Sequence, residues 1–337
     1  MFFHRSLSDR FRALPLWSLS VLLMAALVCP RTGESFPVKE WDKLESDNTQ
    51  QTAAADIQPG KPWREPLSGV SFVWIPGGCF TMGSPPNAEG RDADEEPLHS
   101  VCLSGFWLGE REVTQQQWQR VLQYNPSALH REIIGQQDEG FPVENISRLD
   151  VEGFITKLNS HLQAQQVVIE LPTEAQWEYA CRNGGQKISL PGHGQADQLA
   201  WYQANSNGVS QVTATRTPNR LGLYDMSGNV WEWVRDTYDK AAYGQHAEKD
   251  PLFTGDAPFS VIRGGSWKEQ AAALRCANRG FERLTGKRAD LGLRLAASVS
   301  VRAADVKSSR SRKQIWMDII QESGSPGNPA FLPVPAR

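Results

Sequence analysis

Glycine and proline punctuate this chain while tryptophan recurs along it, and that combination constrains the fold more than any other feature. Twenty-eight glycines and 21 prolines break up regular structure, and 12 tryptophans supply large apolar anchors. A loop-rich α+β body pinned by aromatic side chains accommodates this mixture; a helical bundle does not. No repeat with a period of about 20 to 50 residues is present, which excludes a solenoid. Charge narrows the partners. The 35 Lys and Arg residues are offset by 38 Asp and Glu residues, a net charge of −3. No basic field exists to draw the chain to nucleic acid or anionic lipid, so no nucleic-acid partner and no membrane contact beyond an N-terminal anchor are expected.

Residues 1–36 read as an export signal. Arg5, Arg10 and Arg12 precede an apolar run from Leu14 to Cys29, too short for a comfortable membrane-spanning helix of about 20 residues. The expected location is the periplasm or the exterior. An uncleaved N-terminal anchor is the alternative, because no clean small-x-small cleavage site follows. A lipoprotein reading of Cys29 fails on Ala26-Leu27-Val28, which lacks the small residue wanted before the cysteine. Residues 37–67 form a polar linker, 68–298 a single domain, and 299–337 a Pro/Gly-broken tail with the basic run VKSSRSRK. Without the leader, Cys79, Cys102, Cys181 and Cys276 remain. An even number in an oxidising compartment suggests two disulfides, and the absence of a CxxC pair, with scattered histidines, argues against zinc.

Within the domain, Val70–Ile75 and Val101–Leu108 read as strands, and the acidic stretch SPPNAEGRDADEEP between them reads as a solvated loop. Three helix starts carry their own caps. Thr114 with Gln117 and Thr173 with Gln176 are capping-box pairs, and Ser147 precedes a face of Val151, Phe154, Ile155, Leu158 and Leu162. Trp177 and Cys181, four apart, face the same way.

The segment GLYDMSGNVWEW (222–233) carries the most chemistry. Asp225 and Glu232 supply carboxylate oxygens seven residues apart, and Gly228 permits a turn that aims its own carbonyl and that of Val230 inward. Four hard oxygens on one loop suit calcium. The alternative is that Glu232 only caps a turn between Trp231 and Trp233.

An ordered series of motifs now resembles the formylglycine-generating enzyme, or sulfatase-modifying factor, family. It comprises PGGCFTMGS (76–84), EVTQQQW (112–118), PVENIS (142–147), LPTEAQWEYACR (171–182), GLYDMSGNVWEW, RGGSW (263–267) and LGLRLA (291–296). The resemblance implies an irregular α+β fold related to C-type lectins, with little regular secondary structure. It implies structural calcium at Asp225, Gly228, Val230 and Glu232, with Asp225 standing where some members have Asn. A second family calcium site is not carried over, because YQANSNGVSQVTATRTPN shortens its loop. The matching contexts EYACR and LRCANR imply a disulfide between Cys181 and Cys276, which leaves Cys79 with Cys102.

One departure decides the expected mechanism. Family members that make formylglycine place two cysteines between the GGS turn and the structural cysteine, where thiolates bind copper(I) and activate oxygen. Here that stretch, Trp267 to Arg275, holds no thiol. No copper is therefore expected. Glu269 takes the first vacated position counted from Gly264-Gly265-Ser266, and Ala271 the second counted back from Cys276. Glu269 is the candidate general acid or base, against the alternative of a surface loop residue beside Lys268. Arg263, Arg275, Arg279 and Arg294 are candidates to hold a carboxylated or planar ligand, or to serve the fold. No GxSxG, no phosphate-binding GxxxxGK[ST] and no HxxxHxE iron helix is present, and Ser147 of the sequon Asn145-Ile146-Ser147 is better used as a helix cap. The expected function is an exported tailoring enzyme, similar to the members that mature peptide siderophores such as pyoverdine. It would act on a small-molecule or peptide substrate without the copper mechanism. The alternative is a non-catalytic, calcium-stabilised module with a protein partner.

Overall fold

A computed structural model describes residues 57–128, 140–162, 167–192 and 194–299. The strands, in chain order, are β1 (Trp63–Arg64), β2 (Ser71–Ile75), β3 (Gly78–Met82), β4 (His99–Leu103), β5 (Phe106–Gly109), β6 (Val167–Glu170), β7 (Trp231–Thr237), β8 (Phe259–Arg263), β9 (Arg279–Arg283), β10 (Leu291–Leu293) and β11 (Ala296–Val299). Helices α1 (Gln115–Leu122), α2 (Arg148–His161) and α3 (Glu174–Cys181) begin where the caps place them. The hydroxyls of Thr114, Ser147 and Thr173 each accept the N3 amide, and each N3 side chain reaches back to the cap amide. No described helix is long and apolar enough to cross a membrane.

The strands form a five-stranded sheet in the order β1-β2-β5-β11-β6, a four-stranded sheet β10-β7-β8-β9 and the hairpin β3-β4. Helices α1 and α2 cover one hydrophobic cluster, in which Trp118 stacks on Phe154 at 4.7 Å beside Phe72, Trp107 and Trp233. A second cluster gathers Phe80, Phe106, Trp177 and Val261 around Cys181 and Cys276. Among the described residues, four tryptophans are wholly buried, as their anchoring role requires. Both disulfides form, Cys79–Cys102 across the hairpin and Cys181–Cys276 between α3 and the segment before β9. Each contributes about 2–4 kcal/mol.

Two expectations need correction. The single strand expected over 101–108 is two strands in different sheets, because the chain passes Trp74 at Gly105 too closely for a side chain: a Cβ there would meet the indole at 2.4 Å. The folded body also begins earlier than residue 68. Trp63 in β1 stacks on Phe72 at 4.8 Å, and buried Glu65 accepts the Ser68 amide at 2.6 Å, so residues 57–67 belong to the body rather than the linker. The export segment, the rest of the linker and the tail beyond Val299 lie outside the described residues.

Candidate functional site

The loop before β7 builds a buried, carboxylate-rich centre. Gly228 sits at φ 78°, and a Cβ there would lie 2.2 Å from the Trp201 carbonyl, so only glycine fits. The turn sends the Asn229 amide to that carbonyl at 2.7 Å and the Val230 amide to Glu112 Oε1 at 3.0 Å. Glu112 Oε2 accepts from Asn229 Nδ2 at 2.6 Å. Asp225 is buried, with Oδ2 accepting the Ala214 amide at 2.6 Å and Oδ1 without any partner. Glu232, also buried, is gripped by Arg294: Oε1 accepts Nη2 at 2.7 Å, Oε2 accepts Nε at 3.0 Å, and Trp177 Nε1 donates to Oε2 at 2.7 Å.

Of these three carboxylates only Glu232 is bonded to a guanidinium, that of Arg294. Burial pushes the Asp225 carboxyl up to about 6, with the Glu232 charge adding to the effect against Arg294. Burial raises Glu112 well above the carboxylate range, reinforced by the charges of Asp225 and Glu232. Of the four residues expected to hold calcium, Asp225 has a free buried oxygen, whereas Glu232 is already committed to Arg294 and Trp177. The deficit of positive charge and the orphaned Oδ1 fit a hard divalent cation. Among the described residues, no group of three or more His, Cys, Asp or Glu side chains is arranged as a metal-binding cluster.

The candidate arginines serve the fold. Arg263, wholly buried, donates to Glu174 Oε1 at 2.9 Å and Glu178 Oε2 at 2.8 Å. Arg279 donates to both Glu174 oxygens, at 2.7 and 3.0 Å. Burial alone would raise the Glu174 carboxyl, but Arg279 and Arg263 hold it below its ordinary value. Arg275 is spent on Glu95, with two contacts of 2.7 Å. Glu95, expected in a solvated acidic loop, is therefore buried.

Glu269 sits after the Gly264-Gly265 turn and is half-buried. Its Oε1 accepts the Trp231 indole N–H at 3.3 Å, and Oε2 has no partner. Lys268 and Arg288, the neighbouring cations, are drawn to Asp290 at 3.3 and 2.8 Å. The result is a carboxylate oriented on one side and open on the other, as a general acid or base must be. The stretch from Trp267 to Arg275 carries a 3₁₀ turn at Ala271–Leu274. Beyond that turn lies a cavity of about 650 Å³, lined by Ser84, Leu98, Arg182, Lys187, Ile188 and Arg275 among others. Its volume suits a small ligand or a peptide side chain. Glu269 does not line it. Arg182 and Arg275 line it but are engaged with Glu178 and Glu95, whereas Glu89, Gln186, Lys187 and the hydroxyls of Thr81 and Ser189 are uncommitted polar groups of its lining.

With four disulfide-bonded cysteines and no thiol after the GGS turn, this architecture can be set beside known proteins. Residues 58–299 match the sulfatase-modifying factor enzyme 1-like domain. The chain belongs to that family. It is 32% identical over 259 residues to serine/threonine-protein kinase pkn1 of Chlamydia pneumoniae, covering 73% of this chain and 40% of that one. The chain therefore spans about two fifths of the length of that relative. It is 28% identical over 265 residues to the formylglycine-generating enzyme of Streptomyces coelicolor, covering 64% of this chain and 83% of that one. The structure of PvdO from Pseudomonas aeruginosa shares the fold with a TM-score of 0.62 and 23% identity, covering 72% of this chain and 99% of that one. The α+β fold expected from the motifs is the fold of this family.

Sequence reading missed Glu112 as a member of the carboxylate centre, although it opens the quoted EVTQQQW motif. It lies more than 100 residues from its partners, and no local spacing reports such a meeting. The capping box beside it drew attention to Thr114 instead.

Proposed function

We propose that this chain is an exported tailoring enzyme of the sulfatase-modifying factor family that does not use copper-cysteine chemistry. The observation that carries the reading is the replacement of both copper ligands, by Glu269 and Ala271, on a stretch of which only the far end, Arg275, lines a ligand-sized cavity. All four cysteines of the folded body are tied in disulfides, so no thiolate is left there to bind copper(I). Glu269, oriented by Trp231 and open at Oε2, would move a proton on a small-molecule or peptide substrate. Peptide-siderophore maturation of the kind expected from the sequence is the favoured class.

Calcium is proposed as the brace of the 225–232 loop, held by Asp225, the carbonyls of Gly228 and Val230, and Glu232. When bound, it would balance the buried negative charge and fix the turn that positions Trp231, and through it Glu269.

The test compares metabolites from three strains: wild type, deletion and Glu269→Ala. An unmodified precursor accumulating equally in the deletion and Glu269→Ala strains supports the enzyme. Accumulation only in the deletion strain discards Glu269 as the catalytic group. A second reading, a non-catalytic calcium-stabilised module, is favoured by the structural employment of all four candidate arginines. No precursor in either mutant, with a protein partner co-purifying stoichiometrically, would select it.

A further inference from the structure

We propose that the outer edge of β3 captures an extended peptide as an added strand, and that the cavity beside it receives the peptide's side chains, one of them acidic. Among the described residues, β3 pairs with β4 and with no other strand. On β4, Cys102 turns both its backbone groups away from β3: its amide donates to the Glu248 carbonyl at 2.7 Å, and its carbonyl accepts the Asp250 amide at 2.9 Å. Backbone groups alternate sides along a strand, so Val101 and Leu103 face β3, and their partners Phe80 and Gly78 face back. The amides and carbonyls of Cys79 and Thr81 therefore point out of the hairpin, where no neighbouring strand meets them. Such an edge is a template for another chain.

This edge is held rigid, and it borders a space. The Cys79–Cys102 disulfide crosses the hairpin. Just past the end of β3, the Gly83 amide donates to Glu178 Oε1 at 3.0 Å, and Arg182 Nη2 donates to the Gly83 carbonyl at 2.9 Å. A preformed edge spares an incoming peptide the cost of ordering its receptor. Thr81 and Gly83 line the cavity of about 650 Å³, which the segment from Gly185 to Ser189 also lines. A strand added to β3 would send alternate side chains into that space, toward Ala88, Ile188 and Ala277. Bounded by that segment, the cleft suits a single strand better than the edge of a second folded copy.

Charge selects the peptide. Arg182 and Arg275 are bonded to Glu178 and Glu95, so they offer no free cation to a ligand. Lys187, exposed in the lining, makes no ion pair among the described residues, and it is the cation left to meet a carboxylate. Glu89, on the loop after Ser84, repels a second carboxylate on its own side. The acidic side chain therefore belongs opposite Lys187. This docking site does not rest on Glu269, which lies outside the cavity lining, so its failure would leave the proposed acid–base chemistry standing.

The experiment titrates the full disulfide-bonded chain with a pool of capped heptapeptides, each carrying one Glu among Thr, Val and Ile, and follows amide hydrogen exchange. Binding with a dissociation constant below about 1 mM is expected, with exchange of the Cys79 and Thr81 amides slowed about tenfold. The same pool with alternate amides N-methylated should not bind. Thr81→Pro removes an outward N–H without breaking a hairpin bond and should weaken binding about tenfold. Lys187→Glu should weaken it about as much, and a pool with Lys in place of Glu should restore it. No binding by the first pool, binding that survives N-methylation, binding without protection of Cys79 and Thr81, or affinity unchanged in Lys187→Glu overturns the proposal. A dimer of the chain alone that Thr81→Pro abolishes would give the edge to a second copy and overturn it equally. The exchange and N-methylation measurements use the wild type, so they decide the matter even where a variant fails to fold.

Discussion

Two buried charge clusters lie within this body, and they are built on opposite principles. Around α3, Arg182, Arg263 and Arg279 face Glu174 and Glu178, each guanidinium holding a carboxylate at 3.0 Å or less, and Asp94, 3.9 Å from Arg279, supplies the third anion. Around the 225–232 loop, Glu112, Asp225 and Glu232 crowd together, Arg294 grips only Glu232, and Arg111 and Arg294 reach Asp225 through their charge alone. The first cluster is complete in itself and therefore architectural. The second needs something the chain does not supply, a proton or a cation, and its raised carboxyls and orphaned Asp225 Oδ1 are the signs of that need. A buried charge cluster thus becomes a candidate site when its sum fails to close, not simply because charges gather there.

The largest effect should come from breaking the closed cluster. Arg263→Leu leaves Glu174 and Glu178 buried with one cation fewer and should cost about 3–5 kcal/mol in urea unfolding. A loss under about 1 kcal/mol would mean that the cluster is not the tight buried network described. Next is the open cluster. Calcium at about 100 times its dissociation constant should stabilise the wild type by about 2.7 kcal/mol, and Asp225→Ala should abolish the gain. A melting temperature indifferent to calcium and chelator would remove calcium from the account.

A smaller effect sharpens the comparison at the edge of the closed cluster. Asp236 is buried, accepts the Glu174 amide at 2.7 Å, and is pushed up to about 7 by burial and then by the Glu174 charge. Because its folded pKa lies above the ordinary value of 3.8, the folded state keeps a proton that the unfolded chain has already lost. Its contribution to stability is therefore full below about pH 4 and is lost as pH rises toward about 7. Asp236→Asn, which does not titrate, should flatten that slope in pH-dependent unfolding. An unaltered slope would place the titration elsewhere. The smallest effect on stability is expected at Glu269: Glu269→Gln should change unfolding by no more than about 0.5 kcal/mol, while turnover falls about 10²–10⁴-fold. Equal losses of stability and activity would make Glu269 a structural residue.

Much of this molecule could be read locally. The capping boxes at Thr114 and Thr173, and the serine cap at 147, fix three helix starts because a cap is satisfied within one turn of chain. The motif contexts placed the Cys181–Cys276 and Cys79–Cys102 pairs. The break at Gly105 was hidden, since only the arrival of Trp74 from β2 makes a side chain there impossible. Trp63 and Glu65 looked like linker for the same reason: their partners, Phe72 and Ser68, become partners only when the chain folds back.

The sequence by itself determined the family scaffold and the absence of thiols after the GGS turn, because each is written in residue types at fixed places along the chain, and its likeness to the family implied the cysteine pairings. Only the tertiary structure decided which carboxylates lack a counter-charge, that the candidate arginines are already spent, and that Glu112 joins Asp225 and Glu232. Those facts are sums over neighbours brought together from distant parts of the chain. Electrostatic balance and ligand geometry depend on distance in space, which no local pattern of residues records.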